Sequence, residues 1–343
     1  MRMRRWTAAG ILLLCLLLLG LLGCQEQQPP VFRIGVALYS QEDTFISTVV
    51  QKMDKLAKEE EQARGIKINM TLADGERSQS VQNEQVDRFL NQGYDIICVN
   101  IVDRTAAAVI VDKAQRADVP VIFFNREPVR EDLDRWEHAY YVGTPAMEAG
   151  RMQGKLVLDA WQQDTLDRNG DGVLQYVMLE GEPGHQDTLL RTEYIVKTLQ
   201  SSGVSLERLG NYSADWQRGK AGVKMEQWLE EFGGKIEAVF ANNDDMALGA
   251  IDVCLAAGMT PEELPLVVGV DATEEAVEAV AQGLMRGTVR NDAEGQAEQM
   301  MKTACALLYH EPVEDAVQIV DSHYIWLTYS LVDQPAALAE CDE

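Results

Sequence analysis

From Val31 onward, short apolar and β-branched runs alternate with stretches whose apolar positions recur every three to four residues. The runs predict strands and the periodic stretches predict amphipathic helices. Strands are expected at 31–39, 66–72, 94–100 and 119–125, with helices at 46–63, 81–91 and 105–117 between them. The pattern then starts again: strand 138–142, helix 147–162, strand 175–179, helix 188–199, a helix near 219–230, strand 236–241, helix 245–257 and strand 266–270. After 287–290 come a helix around 293–309 and late strands near 317–321 and 324–329. Near-continuous apolar strands suit a parallel sheet covered on both faces. Strand–helix–strand repeats imply right-handed crossovers. The chain therefore reads as an α/β protein of two similar halves, with no short-period repeat. Such a protein binds its ligand in a cleft outside the carboxyl ends of the strands.

The first 23 residues break this pattern. Arg2, Arg4 and Arg5 precede an unbroken apolar run from Ile11 to Leu19, and the segment closes Leu21-Leu22-Gly23-Cys24. A charged start, a short apolar centre and a small residue at the end read as a secretory signal. The stretch 6–23 only reaches the lower limit for a membrane-spanning helix. The Leu-Leu-Gly-Cys ending resembles a bacterial lipobox, which implies cleavage before Cys24 and lipid on that residue. The lipid would hold the protein on the outer face of a membrane, outside the cytoplasm. A short polar tether over 24–30, extended near its prolines, would join the anchor to the first strand.

Composition narrows the function. At 343 residues the prior is about two domains. With 46% hydrophobic and 25% charged residues the chain is globular. Its 30 basic residues face 55 acidic ones, and loss of the first segment removes three arginines. Such a chain repels phosphate backbones, which excludes nucleic acid as the main partner. No disulfide framework is legible. Cys15 leaves with the signal, Cys24 is the lipid site, and Cys341 is near the end. Cys98, Cys254 and Cys305 lie in apolar patterns and read as small buried hydrophobes. None of the six is spaced like a metal site.

The residues just past the strand ends are polar or aromatic. They are Asp43 and Phe45, Asn100, His185, Asp187 and Arg191, Trp216, Asn243, Asp271 and Asn291. Carboxylates accept from two hydroxyls, a guanidinium donates as a fork, and an amide does both, which suits a sugar. Phe45 and Trp216 offer flat apolar faces for a pyranose ring. Three carboxylates argue against a purely anionic ligand. Each residue also has a local reading. Asp43, Asp187 and Asp271 precede helices as N-caps would, Asn100 and Asn243 suit turns, Phe45 and Trp216 suit a core, and His185 a loop.

A second motif spans Asp167-Arg168-Asn169-Gly170-Asp171-Gly172-Val173-Leu174-Gln175. Oxygens at positions 1, 3, 5, 7 (main chain) and 9, with Gly at 6, follow the Ca²⁺ loop pattern of an EF-hand. Met178 stands at position 12, where a bidentate Glu belongs. The last ligand must then come from elsewhere, or the loop is an Asx-rich turn. Mg²⁺, with its octahedral, water-rich shell, fits less well. No helix pair flanks the loop as in a calcium sensor, so the ion would be structural.

These segments carry a family resemblance. Phe32-Arg33-Ile34-Gly35-Val36, Glu42-Asp43-Thr44-Phe45, Asn100-Ile101-Val102-Asp103, Phe123-Phe124-Asn125-Arg126-Glu127-Pro128, Gly181-Glu182-Pro183-Gly184-His185, Ala241-Asn242-Asn243-Asp244, Gly269-Val270-Asp271-Ala272 and Gly287-Thr288-Val289-Arg290-Asn291-Asp292 look like the bacterial galactose/glucose-binding proteins. The match runs from about Phe32 to about Tyr329. It implies a type I periplasmic binding protein fold of two parallel-sheet α/β lobes joined by three crossings. The expected division is 31–142 plus 292–322 for the first lobe and 143–291 plus 323–343 for the second. The hinge is expected near Tyr141, Asn291 and Ser322.

The resemblance also implies roles. Asp43, Asn100, His185, Asp187, Arg191, Asn243, Asp271 and Asn291 would hold sugar hydroxyls, with the ring between Phe45 and Trp216. Calcium would be held by Asp167, Asn169, Asp171, the Val173 carbonyl and Gln175, with Glu237 supplying the bidentate ligand that Met178 cannot. Two residues depart from the family: Gln186 stands where Pro is usual, and Asp245 where a small residue is common. The implied protein is a monomeric lipoprotein, not an enzyme, that delivers D-galactose or D-glucose to the membrane permease of an ABC importer. A sugar sensor presenting its closed form to a chemoreceptor or receptor kinase is the alternative. A surface glycoside hydrolase using His185 with Asp187 or Asp271 is disfavoured, because it needs a general acid and room for water. A sugar-responsive repressor is disfavoured by the signal segment and by the lack of a basic DNA-binding helix pair.

Overall fold

The structure, a computed structural model, describes residues 29–163 and 166–334. The signal, Cys24, most of the tether and Cys341 lie outside the described residues. The first lobe opens with β1 (Val31–Leu38), α1 (Thr44–Arg64), β2 (Lys67–Asp74), α2 (Gln79–Asn91) and β3 (Ile96–Val99). It continues with α3 (Ala107–Ala117), β4 (Val121–Phe124), α4 (Arg130–Leu133) and β5 (Ala139–Gly143). The second contains α5 (Ala146–Gln162), β6 (Val173–Glu180), α6 (Gln186–Ser201), β7 (Ser205–Ser213), α7 (Arg218–Phe232) and β8 (Ala238–Ala241). It ends with α8 (Asp244–Ala256), β9 (Leu266–Asp271), α9 (Glu274–Ala281) and β10 (Gly287–Arg290). The chain then returns to the first lobe for α10 (Ala293–Leu308), α11 (Val313–Ala316) and β11 (Tyr324–Trp326), and closes in the second with β12 (Ser330–Asp333).

Each lobe is a six-stranded sheet, ordered β11-β5-β4-β3-β1-β2 in the first and β12-β10-β9-β8-β6-β7 in the second. All pairings are parallel except β10 with β12. Every residue of β3, β4 and β8 is buried, as strands sandwiched by helices must be. In the first lobe, Met300, Met301 and Ala304 of α10 join Val49, Val50 and Met53 of α1 in the core on one face. The opposite face is filled by Ile110, Val111 and Ala114 of α3. This is why α10, although late in the chain, belongs to the first lobe. Among the described residues no helix is long and apolar enough to cross a membrane. Cys98 and Cys254 are buried, whereas Cys305 is only half-buried.

Several segments depart from the expectations. The strand expected at 317–321 reduces to one bridge between Val320 and Tyr324. Asp321 and Ser322 take φ of 48° and 67°, left-handed values that end any extended run. The third crossing therefore lies at 327–329 rather than at Ser322, and β11, paired with β5, places 324–326 in the first lobe. Tyr141 lies inside β5, paired with Phe123 and Tyr324, so the first crossing follows Gly143. Strand β7 and helix α9 appear where no element was expected. The β7 sequence Ser-Leu-Glu-Arg-Leu-Gly-Asn-Tyr-Ser is largely polar because it is an edge strand, and it faces solvent over much of its length.

Candidate functional site

The carboxyl ends of the strands in both lobes meet across one cleft. Asp43, Phe45, Tyr39, Asn125 and Arg126 from the first lobe face His185, Asp187, Arg191, Trp216, Asn243 and Asp271 from the second. The space left among them is about 30 Å³, room for one or two waters. The cleft is closed by bonds between the lobes. Thr44 Oγ1 donates to Asp245 Oδ2 at 2.7 Å, Arg126 to Glu182 Oε2 at 2.8 Å, and Gln186 Nε2 to Glu127 Oε2 at 2.7 Å.

Helix termini position several of these groups. Asp43 Oδ1 caps α1 by accepting from Ile46 N at 2.9 Å, while its Oδ2 accepts from the Tyr39 hydroxyl. Asn243 Oδ1 caps α8 through Met246 N at 3.1 Å. The cap of α6 is His185, not Asp187, and that of α9 is Thr273, not Asp271. Asp187 and Asp271 are thereby left free of capping duty. Because His185 Nδ1 accepts from Asp187 N at 3.0 Å, the neutral ring carries its proton on Nε2. Burial holds the imidazole well below its ordinary pKa, helped by Arg126 and Arg191. His185 packs edge-on against Trp216, with ring centres 5.1 Å apart.

Arg191 is the electrostatic centre. It is 3% exposed and donates to Asp187 Oδ2 and the Asn242 carbonyl, both at 2.8 Å, and to the Tyr329 hydroxyl at 3.3 Å. Its buried Nε has no partner. Burial pushes the Asp187 carboxyl up more than Arg191 pulls it down. The Asp271 carboxyl is raised further, by burial and by Asp244 and Asp43, against the pull of Arg191. Asp244 lies fully buried behind it, accepting from Thr288 Oγ1 at 2.6 Å and Thr273 N at 2.9 Å, and burial pushes it up to about 7.

Asn100 and Asn291 sit one layer behind the cavity wall. Asn100 Nδ2 donates to the Phe124 carbonyl at 3.0 Å, and its buried Oδ1 has no partner. Asn291 Nδ2 donates to Asp271 Oδ1 at 3.4 Å, and its Oδ1 accepts from Thr144 and Gln296, each at 2.9 Å. Sequence reasoning left out Tyr39, Asn125 and Arg126. All three follow the ends of β1 and β4, but the strands expected at 31–39 and 119–125 took in Tyr39 and Asn125, which leaves only Arg126 within reach of the strand-end rule. The Arg126 guanidinium lies 3.4 Å from the Tyr39 ring centre. Three residues of the cleft, Asn125, Trp216 and Asp271, hold the backbone at positive φ of 59°, 65° and 121°.

The oxygen-rich loop lies on the second lobe. Asp167 accepts from the backbone of Gly170, Asp171 and Gly172. The side chains of Asn169, Asp171 and Gln175 converge at 2.9–3.2 Å from one another. Glu237, 1% exposed, accepts from Arg168 N at 2.7 Å and Gln175 N at 3.0 Å, so it stands beside the loop. Among the described residues no cluster of three His, Cys, Asp or Glu is assembled. The donors here are carboxylates, amides and the Val173 carbonyl, all hard oxygens of the kind Ca²⁺ takes.

Two α/β lobes closing on a polar cleft define a solute-binding protein. Residues 34–312 match the model of the periplasmic binding protein domain, and the chain belongs to that family. It is 39% identical over 272 residues to the D-galactose/methyl-galactoside binding periplasmic protein MglB of Haemophilus influenzae, covering 79% of this chain and 80% of the relative. It is 30% identical to a xylitol-binding protein of Mycolicibacterium smegmatis, covering 82% and 74%. A solved ABC transporter solute-binding protein of Bacillus halodurans with bound myo-inositol superimposes with a TM-score of 0.74 at 28% identity, covering 92% and 99%. These relatives are binding proteins, none of them an enzyme.

Proposed function

We propose that the cleft captures a free hexose, D-galactose or D-glucose, and that the closed, loaded form delivers it to the membrane permease of an ABC importer. One observation carries this reading. Arg191 Nε, a buried donor in the wall of the cleft, and Asn100 Oδ1, a buried acceptor just behind the wall on the opposite lobe, both lack partners. A buried polar atom without a partner costs about 1–3 kcal/mol. A ligand carrying both donors and acceptors on one small ring relieves that cost. Asp187 and Asp271 accept from hydroxyls, Arg191 and His185 Nε2 donate, Asn243 does both, and Phe45 and Trp216 cover the C–H faces. The name of the relative at 39% identity supports the choice of galactose.

Closure follows from differential contact. A sugar favours the closed state only to the extent that it touches both lobes there. Phe45 and Asp43 come from one lobe, Trp216 and Arg191 from the other, so the shut cleft is the state that engages the whole ring. The three crossings at 144–145, 291–292 and 327–329 are the segments that bend. Only about 30 Å³ remains among these side chains as they stand, so a hexose enters when the lobes part and is held with them slightly further apart than here.

Two further parts complete the reading. Asp167, Asn169, Asp171, the Val173 carbonyl, Gln175 and Glu237 hold a structural Ca²⁺, which ties the loop to the start of β8. Cys24 carries lipid that keeps the protein on the outer face of the membrane. Calorimetry with D-galactose and D-glucose tests the sugar, and mass spectrometry of the mature N-terminus tests the lipid. An unmodified N-terminus that lacks Cys24 overturns the anchor.

A further inference from the structure

A second cavity of about 360 Å³ opens beside the hexose cleft. It lies within the range that holds ligands, roughly 300–1,000 Å³. Arg126 and His185 line both spaces, so the two adjoin through those side chains. Its walls come from both lobes: Asp103, Arg104 and Glu127 on one side, Glu182 and Gln186 on the other. It therefore exists only when the lobes are closed.

We propose that this space is a second subsite for a neutral, hydroxyl-rich substituent carried by the bound hexose, such as a second sugar ring. The inference rests on the hexose reading of the main cleft and extends it to glycosides. Charge sets the ligand class. Asp103, Glu127 and Glu182 are set against Arg104 and Arg126, and His185 is neutral, so neither sign dominates enough to select an ion. Val102 and Pro183 supply apolar surface that the C–H faces of a sugar ring can cover. Hydrogen-bonding capacity is in place. Gln186 spends its Nε2 on Glu127 at 2.7 Å, which fixes the amide, and its buried Oε1 is left without a partner. Arg104 spends its Nε on the Glu127 carbonyl at 2.9 Å, which orients the guanidinium beside the cavity.

The test is calorimetry on the purified full-length chain in mild detergent, with D-galactose, D-glucose, lactose and melibiose. The two disaccharides present a second ring from position 1, 4 or 6 of whichever hexose occupies the cleft. At least one is expected to bind one-to-one, within about tenfold of the better free hexose, a gap of about 1.4 kcal/mol. Arg104→Ala and Gln186→Leu are expected to weaken that disaccharide by about tenfold or more; the free hexose is expected to weaken by less than about threefold in Arg104→Ala and by roughly fivefold in Gln186→Leu, which also loses a bond that closes the lobes. Heat with the hexoses and none with either disaccharide overturns the subsite alone. Equal losses for hexose and disaccharide in both variants also overturn it. Silence with all four sugars overturns the hexose reading and the subsite together.

Discussion

Arg191 and Asp187 stand one helical turn apart on α6 and join at 2.8 Å, both side chains at least nine-tenths buried. Arg191 Nη1 reaches the Asn242 carbonyl, and the Nη2 that holds Asp187 also reaches the Tyr329 hydroxyl, which ties α6 to the end of β8 and to the last crossing. The fork that would grip a sugar is thus fixed by the same bonds that hold the second lobe to its hinge. Removing either partner leaves a buried charge uncompensated, which costs about 3–5 kcal/mol. Arg191→Ala is expected to lose stability on that scale in denaturant unfolding. Arg191→Lys keeps the charge but not the planar fork. It is expected to stay folded and to bind the sugar at least about tenfold more weakly, a loss near 1.4 kcal/mol. Unchanged affinity in the lysine variant contradicts the role given to the fork.

Asp244 gives a pH signature. Its carboxyl is pushed from 3.8 to about 7 by burial, despite the donors from Thr288 and Thr273. An acid with a higher pKa folded than unfolded holds its proton more tightly in the native state. Its contribution to stability is therefore complete below about pH 4 and is lost as pH rises through about 7. Asp244→Asn carries no such proton. The stability of the wild type relative to this variant is expected to fall across that window, by at most about 1.4 kcal/mol per pKa unit. A difference that stays flat from pH 4 to 7 contradicts it.

Much of this arrangement is legible in the sequence, for definable reasons. The apolar runs of β3, β4 and β8 declare buried parallel strands because both of their faces meet helices. The strand-end rule finds Asp43, Asp187 and Asp271 because topology alone sends those positions to the cleft. Tyr39 escapes it, since an aromatic at the end of β1 reads as more strand. β7 escapes because an edge strand need not be apolar, and α9 was passed over despite its Glu-Glu-Ala-Val-Glu-Ala-Val-Ala helix-forming composition. The setting of Asn100 and Asn291 behind the wall is invisible from spacing, because it depends on side-chain partners such as Phe124 and Gln296. The left-handed Asp321 and Ser322 likewise follow from tertiary context rather than from composition.

Closure has its own handle in Asp245, whose carboxylate accepts from Thr44 across the cleft at 2.7 Å. One such bond is worth about 1 kcal/mol. Asp245→Ala is expected to enlarge the radius of gyration of the sugar-free protein in small-angle scattering. Sugar affinity is expected to fall by roughly fivefold, because the closed state is less populated before binding. No change in either quantity shows that this contact does not hold the lobes together.

Trp216 is pinned by Gly181. A methyl group there would run into the indole edge and the Thr188 hydroxyl. Overpacking of this kind costs about 1–3 kcal/mol. Gly181→Ala is expected to shift the tryptophan fluorescence and to weaken sugar binding, since the ring leaves its place over the cleft. Normal fluorescence with normal affinity means that the ring is not a wall of the site.

Calcium is read out by stability. At a hundred times its Kd, an ion bound only by the native state adds about 2.7 kcal/mol. That corresponds to roughly 5–10 °C in Tm for lobes of this size. Chelation is expected to lower the Tm, added Ca²⁺ to restore it, and Glu237→Gln to blunt both responses. A Tm indifferent to chelator and to Ca²⁺ removes the ion and leaves the loop as an Asx-rich turn.

The central claim is that the closed cleft is built for a hexose. The most direct measurement is titration of D-galactose and then D-glucose into the folded protein by calorimetry, with calcium present. The expected result is one-to-one heat with at least one of them and no turnover of the sugar. Absence of heat with both, in a sample that melts cooperatively, would contradict the claim and leave the cleft to another ligand.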